Sequence, residues 1–156
     1  MLLKKTAVAL MALFMLSACN TTKRPCKDDG MMTNAEESPL MADFQKNVGD
    51  RIFFAFNRSD LSNDSKAMLN KQAEWLKKHS DVKATIEGHC DARGTREYNL
   101  ALGERRAEAV RKFLVGNGIE ASRLETISYG KEKPAVVGDN EEAWAQNRRA
   151  VTIIMK

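Results

Sequence analysis

The sequence predicts an α/β (α+β) fold, a two-layer sandwich in which helices lie mainly on one face of a four-stranded sheet. From residue 51 onward, strand-like and helix-like segments alternate in the order β-α-β-α-β-α-β. The second strand-like segment has apolar residues at alternate positions, whereas a strand covered by helices on both faces would be apolar throughout. The sheet is therefore expected to bury one face against a single core.

The first strand and the first helix follow from local patterns. Residues 51–56 are rich in aromatic side chains, and Ile52, Phe54 and Phe56 would share one face of a strand. A helix is predicted after Ser62, whose hydroxyl can cap its free N–H groups. Its apolar residues recur at helical spacing and form the stripe Leu69, Ala73 and Leu76.

The second strand and the second helix follow directly. Val82, Ala84 and Ile86 alternate with polar residues, as in a half-buried strand. A longer helix is predicted from Thr95, which can cap it, to Val115, after which a Gly-Asn-Gly sequence stops it. The apolar face of this helix is expected to consist of Tyr98, Leu102, Ala109 and Phe113.

Three further elements complete the domain. A strand near residues 123–129 is followed by a loop that contains Pro134 and Gly138. A short helix at residues 141–147 leads into a last strand at residues 150–155. Together these elements span about 110 residues, which is enough to bury one core.

The N-terminus has the anatomy of a secretory signal peptide. Lys4 and Lys5 precede residues 7–18, in which only Ser17 is not apolar. This run is shorter than the about 20 apolar residues that a membrane-spanning helix needs. Residues 1–18 are therefore predicted to be a signal peptide rather than a helix of the fold.

The end of that signal resembles the lipobox of bacterial lipoproteins, since it reads Leu-Ser-Ala before Cys19. The resemblance implies cleavage before Cys19, a diacylglycerol group on its sulfur and a palmitoyl group on its new amine. Several acyl chains hold a protein stably on a membrane, whereas one does so only marginally. Asn20 stands where an aspartate often retains lipoproteins in the inner membrane, so the outer membrane is favoured.

Residues 19–50 are predicted to be a lipidated N-terminus and a flexible tether. They are polar, and no period of two or 3.6 persists among them. Such a tether would let an anchored domain at residues 51–156 reach away from the membrane.

Composition excludes several classes of protein. The chain has 156 residues, 43% of them hydrophobic, which rules out full disorder and a collagen-like structure. Three cysteines are too few for a disulfide scaffold, and Cys26 is expected to be free, although pairing with Cys90 or a second chain stays open. The net charge is +4, but two lysines lie in the predicted signal. Without a concentrated basic stripe, nucleic acid binding is disfavoured.

One constellation of polar residues suggests a binding site. Asp91 lies in the loop between the second strand and the second helix, and Arg105 and Arg106 follow further along that helix. A carboxylate near a guanidinium suits a zwitterion, because the first accepts from an ammonium and the second binds a carboxylate. The alternative is that the arginines solvate the helix and Asp91 caps a turn.

The same residues carry a close resemblance to the OmpA-like C-terminal domain family. Its motifs are Gly-His-x-Asp at 88–91, Arg-Gly-Thr at 93–95, Tyr-Asn-x-Ala-Leu-Gly-x-Arg-Arg-Ala at 98–107, Ser-Tyr-Gly-Lys-Glu-Lys-Pro at 128–134 and Asn-Arg-Arg-Ala-Val at 147–151. The similarity covers residues 51–156 and is greatest to lipid-anchored members. It implies a mixed sheet and non-covalent binding, without cofactor or metal, to the diaminopimelate stem peptide of peptidoglycan. It also implies partnership with the Tol system, including its periplasmic β-propeller protein, in envelope integrity and cell division.

The resemblance assigns roles to individual residues. Asp91 would accept a hydrogen bond from the ligand's ammonium, and Arg106, rather than Arg105, would clamp a carboxylate. The other positions would line the pocket: Arg93 and Thr95 on the loop side, Leu102 against the aliphatic chain, and Phe56 and Asn57 at the first strand-helix loop. Asn147 and Arg148 would either orient the binding loop or pin the last strand.

Two positions depart from the family pattern, and both bear on function. Asn57 replaces a common aspartate, which would weaken any side-chain role there. Cys90 replaces the usual threonine or serine, and alternation predicts that it is buried.

Catalysis by a His89-Cys90 pair is disfavoured because neighbours on a strand point to opposite faces. A motor-stator anchor would need an N-terminal spanning helix, and a lipoprotein that has lost its ligand is disfavoured because Asp91 and Arg106 are both present.

Overall fold

A computed structural model describes residues 39–155 of the chain, so the predicted signal peptide, Cys19 and most of the predicted tether lie outside the described residues. The elements are α1 (Pro39–Asn47), β1 (Arg51–Phe53), α2 (Asn63–Lys78), β2 (Lys83–His89), α3 (Arg96–Gly116), β3 (Leu124–Gly130), α4 (Glu141–Asn147) and β4 (Arg149–Met155), with a 3-10 turn at Ala121–Arg123. The predicted order of strands and helices after residue 51 is confirmed, as are the caps at Ser62 and Thr95, whose side chains accept from Ser65 N and Tyr98 N.

The four strands form one mixed sheet in the order β1-β4-β2-β3. β4 pairs antiparallel with both β1 and β2, whereas β2 and β3 are parallel. The parallel pair is joined through α3, as a parallel connection requires. β4 thus lies in the middle of the sheet, beside β2. The chain continues from β2 into the predicted binding loop.

A single hydrophobic core lies between this sheet and helices α1, α2 and α3. The sheet contributes alternate residues, which confirms the expected two-layer arrangement. The largest fully buried apolar side chains are Phe44, Ile52, Leu69, Leu76, Ile86 and Leu114. No helix within residues 39–155 is both long enough and apolar enough to cross a membrane.

The prediction of a flexible tether up to residue 50 is wrong over Pro39–Asn47, which form α1. Met41 and Phe44 of this helix are buried in the core. The Phe44 ring meets the Trp75 ring edge-on at 5.0 Å, and the indole N–H of Trp75 donates to Asp43 Oδ2 at 2.8 Å. Two apolar residues three positions apart were too weak a signal to reveal a nine-residue helix.

The predicted apolar face of α3 is confirmed at Leu102, which is buried, and at Phe113, which is partly buried against the core, but it is wrong at Tyr98 and Ala109. The side that meets the sheet is formed by Asn99, Leu102, Gly103, Arg106, Ala107, Val110 and Leu114. Tyr98 is 45% exposed. An apolar pattern could not reveal this face, because an asparagine, a glycine and an arginine occupy three of its positions.

Candidate ligand-binding site

A cavity of about 160 Å³ opens where β2 ends and α3 begins. Its lining consists of Phe56, Asn57, Cys90, Asp91, Arg93, Gly94, Tyr98, Asn99, Leu102 and Arg106. The structure therefore brings together six of the seven residues predicted for the site. Thr95 does not line the cavity, because its side chain caps α3. Sequence reasoning missed Tyr98 and Asn99 as lining residues, since both were read only as parts of a helix and of the motif at 98–107.

Asp91 is the acidic group of this cavity and is only 4% exposed. Its Oδ2 accepts from Arg93 Nη2 at 2.6 Å and from Arg148 Nη1 at 3.4 Å, and its Oδ1 accepts from the Arg93 backbone N–H at 3.2 Å. Burial alone would raise the pKa of Asp91, but the side-chain and backbone hydrogen bonds from Arg93, its charge and the bond from Arg148 outweigh it. The pKa of Asp91 therefore lies below its usual value, and the group is anionic at neutral pH.

Arg106 is a basic group in the lining of the same cavity and is fully buried. Its guanidinium donates to three backbone carbonyls: from Nε to Arg58 at 2.9 Å, from Nη1 to His89 at 2.7 Å and from Nη2 to Ala55 at 3.2 Å. Nη1 also donates to Cys90 Sγ at 3.5 Å. Burial lowers the pKa of Arg106, although an arginine stays charged at any physiological pH.

These contacts give Arg106 a structural role that the sequence did not predict. A guanidinium has five N–H groups, and four of those in Arg106 meet acceptors. One N–H on Nη2 is left for a ligand. Bidentate binding of a carboxylate would therefore require the guanidinium to break one of its hydrogen bonds to a backbone carbonyl. Arg105, by contrast, is exposed and lies 6.0 Å from the centre of the Tyr98 ring. Arg106 therefore lines the cavity and Arg105 does not, while contact of Arg106 with a ligand stays a prediction.

Arg93 closes one side of the cavity. Its guanidinium carbon lies 4.0 Å from the centre of the Phe56 ring and 4.0 Å from the centre of the Trp144 ring. The Arg93 side chain therefore connects the loop after β1, the loop after β2 and helix α4. Hydrogen bonding to Asp91 raises the pKa of Arg93. Trp144 has no distinguishing sequence signal, because nothing in its local pattern relates α4 to the predicted loop.

Arg148 combines the two roles that the sequence left open. It contacts Asp91, and its Nε donates to the Phe54 carbonyl at 3.1 Å, which pins the start of β4 to β1. Its Nη2 donates to Glu141 Oε1 at 2.7 Å. Asn147 holds a different segment, because its amide bonds the backbone of Ala135 and Val136.

Asn57 and Tyr98 form the outer rim. Asn57 has a positive φ of 57°, a conformation that asparagine tolerates better than most residues. Its side-chain oxygen accepts a hydrogen bond from the Tyr98 hydroxyl. The residue that replaces the common aspartate therefore shapes the rim through a neutral contact. Phe56, beside it, is 57% exposed, so an apolar ring stands at the entrance.

Cys90 and His89 contact different groups. Cys90 is buried, as predicted, and its Sγ contacts the Asn99 carbonyl at 3.3 Å. Burial raises the pKa of its thiol despite the nearby charge of Arg106. The His89 ring lies beside the Tyr129 ring, with centres 5.5 Å apart. Over residues 39–155 no three His, Cys, Asp or Glu side chains form a group that could hold a metal ion.

The lining of the cavity thus includes the anion of Asp91, the cation of Arg106 and the apolar side chain of Leu102. Asp91 can accept from an ammonium, and Arg106 can attract a carboxylate. A small zwitterionic group on an aliphatic chain matches this arrangement. The volume of about 160 Å³ suits one such group rather than a sugar chain.

Comparison with known proteins places these features in a family. Residues 53–148 match the model of the OmpA family. A peptidoglycan-associated lipoprotein of Mesorhizobium japonicum is 47% identical over 150 residues, which cover 94% of this chain and 89% of that protein. The protein of the same name from Haemophilus influenzae is 39% identical, with 87% of this chain and 88% of that protein covered.

Solved structures show the same fold. The crystal structure of the peptidoglycan-associated lipoprotein from Burkholderia pseudomallei is 38% identical, with a TM-score of 0.67 over 78% of this chain and 98% of that chain. The C-terminal domain of Helicobacter pylori MotB gives a TM-score of 0.65 at 22% identity, covering 69% of this chain and 84% of that chain. The second similarity shows the fold alone.

Proposed function

The chain belongs to the OmpA family, and we propose that it is an outer-membrane lipoprotein that binds peptidoglycan non-covalently and tethers the membrane to the cell wall. The observation that carries this proposal is the cavity between Asp91 and Arg106. The names of relatives that match nearly the whole chain support it.

The proposed ligand is the diaminopimelate residue of the stem peptide. Its side chain ends in a carbon that bears both an ammonium and a carboxylate. The ammonium would bind Asp91, the carboxylate would take the remaining N–H of Arg106, and the aliphatic part would pack on Leu102. Arg93, Phe56 and Asn57 would close the pocket around it, and Thr95 would hold the loop by capping α3.

The proposed anchor is Cys19, with an S-diacylglycerol group and an N-palmitoyl group. Residues 1–18 would be removed as a signal peptide, and the segment between Cys19 and Pro39 would link the lipids to a periplasmic domain. Mass spectrometry of the protein from membranes should find an acylated Cys19 at the N-terminus. An unmodified chain that begins at Met1 would refute the anchor.

The proposed partners beyond the wall are proteins of the Tol-Pal system, including the periplasmic β-propeller protein. This part rests on the resemblance to lipid-anchored family members and would give the chain its role in envelope integrity and cell division. Photo-cross-linking from exposed positions spread over the whole domain should capture the β-propeller protein in living cells. Capture of peptidoglycan fragments alone would contradict this part.

The proposed function is binding without catalysis. The burial of the Cys90 thiol and its raised pKa support this view. Activity on purified peptidoglycan that Cys90→Ala abolishes would reverse it.

The test of the ligand is calorimetric titration of the full chain in detergent with a diaminopimelate stem peptide and with the corresponding lysine peptide. The lysine peptide keeps the ammonium and lacks the terminal carboxylate. We expect saturable binding of the first and much weaker binding of the second. Equal affinity for both peptides would remove the carboxylate from the proposed recognition, and no binding of either would refute the function.

A further inference from the structure

A second carboxylate lies within reach of the arginines that hold Asp91. Glu141, at the start of α4, places Oε1 2.7 Å from Arg148 Nη2 and Oε2 3.9 Å from Arg93 Nη1. Asp91 is nearly buried, whereas the Glu141 side chain is 63% exposed. Arg93 thus lies between the buried carboxylate of Asp91 at 2.6 Å and the exposed carboxylate of Glu141 at 3.9 Å.

Arg93 is the cation that lies nearest to the Asp91 carboxylate. Its Nη2 donates to Asp91 Oδ2 at 2.6 Å, which makes this a short, charge-assisted hydrogen bond. An ammonium that binds Asp91 Oδ2 competes with Arg93, which is the nearer of the two arginines that already donate to this oxygen. The Arg93 side chain is 32% exposed, so it has room to move toward solvent.

The two aromatic rings define a path for that movement. Phe56 and Trp144 each lie 4.0 Å from the guanidinium carbon, and stacked arginine can slide on a ring face while keeping its cation–π attraction. Arg93 Nε and Trp144 Nε1 are both buried without a hydrogen-bond partner. The Arg93 guanidinium is therefore held by stacking and by Asp91 rather than by a full set of hydrogen bonds.

We propose that Arg93 is an exchangeable counter-ion, which holds Asp91 when the site is empty and passes to Glu141 when a ligand's ammonium binds Asp91. Glu141 and Trp144 are positioning residues that receive and guide Arg93 without touching the ligand. This inference rests on the proposed function. It implies that every amine ligand has to displace Arg93 from Asp91, which lowers the ligand's affinity. It differs from a simple lining role for Arg93, under which removal of its charge would weaken binding.

The first test measures affinity. We expect Arg93→Gln to bind both the diaminopimelate and the lysine peptide more tightly, each by about three- to tenfold, because the competing cation is gone. A diaminopimelate peptide with its side-chain amine acetylated should gain nothing. Glu141→Gln should weaken binding about threefold and should lose most of that effect in the Arg93→Gln background. Glu142→Gln, in the same turn of α4, is the matched control and should bind as the unaltered chain does.

The second test observes the exchange directly. Trp75→Phe leaves Trp144 as the only tryptophan, and its emission should shift on titration with the diaminopimelate peptide at the concentrations where calorimetry shows binding. The shift should be absent in Arg93→Gln. Calorimetric binding with a silent Trp144, or unchanged or weaker binding by Arg93→Gln, would overturn the exchange and leave the proposed function standing. Absence of binding by the unaltered chain would overturn both.

Discussion

Gly88 on β2 and Gly103 on α3 meet backbone to backbone, and the carbonyl of Gly103 occupies the space where a Cβ atom at Gly88 would stand. Asp91 follows Gly88 by three residues, and Arg106 follows Gly103 by three. The close approach of helix and strand therefore sets the spacing of the two charged groups on which the proposed recognition depends.

Gly103→Ala is expected to destabilise the domain by about 1–3 kcal/mol, because a methyl group would press α3 away from the sheet. A Cβ at Gly103 would overlap Ser128 Oγ and approach the Gly88 carbonyl at 3.0 Å. Urea denaturation measures the loss. Gly116→Ala is the control, since a Cβ there meets nothing within 4 Å at the end of α3, and it should gain up to about 1 kcal/mol. Equal stability of the two variants would show that the contact is not tight.

Arg106→Ala should lose stability as well as binding, because the buried His89 carbonyl would lose this donor and the contacts to the Ala55 and Arg58 carbonyls would also be lost. The cost is expected to be about 3 kcal/mol or more. Arg105→Ala, which changes an exposed neighbour, should stay within about 0.5 kcal/mol of the unaltered chain. Loss of binding by Arg106→Ala is therefore informative only beside a measured free energy of unfolding.

Arg106→Lys separates the two roles, since it keeps the positive charge and some donors. Its preference for the diaminopimelate peptide over the lysine peptide should fall severalfold, because a point charge replaces a planar group with fixed N–H directions. Calorimetry with both peptides gives this ratio. An unchanged ratio in Arg106→Lys, or a reduced ratio in Arg105→Ala, would contradict the assignment of Arg106.

The fold was largely predictable because its strands and two long helices have strong local signals. Ser62 and Thr95 begin their helices through ordinary caps, and the alternation of β2 reveals its half-buried state. The inner face of α3 was not predictable from the spacing of apolar residues. Gly103 is buried because α3 approaches the sheet closely there, and Arg106 is buried because its guanidinium bonds backbone carbonyls.

The site residues that belong to a family motif could be predicted. Those that separate helices and loops bring to the site could not. The Asp91 loop and Arg106 follow from the family resemblance. Trp144 and Glu141 reach the site only because α4 precedes the central strand β4, which brings the α4 side chains beside the loop after β2. Such proximity depends on strand order, which the local sequence does not encode.

Phe44→Ala should cost about 3–5 kcal/mol, because the ring is fully buried against α2 although it lies outside the domain predicted from the sequence. Lys46→Ala, on the exposed side of the same helix, should change stability by no more than about 0.5 kcal/mol. Urea denaturation followed by circular dichroism compares the two. Similar values for both variants would mean that α1 adds nothing to the core.

Acid should remove the contribution of Asp91 to stability. The arginine contacts depress its pKa in the folded protein, whereas in the unfolded chain the pKa is about 3.9. A group of this kind stabilises the fold fully above its unfolded pKa, and the stabilisation is lost as the pH falls through the lower folded value. The difference in free energy of unfolding between the unaltered chain and Asp91→Asn should therefore be constant from pH 7 to about pH 5 and shrink below about pH 4. Urea denaturation of both chains across this range measures it, and a difference that persists unchanged at the lowest pH would show that the ionised carboxylate of Asp91 does not stabilise the fold.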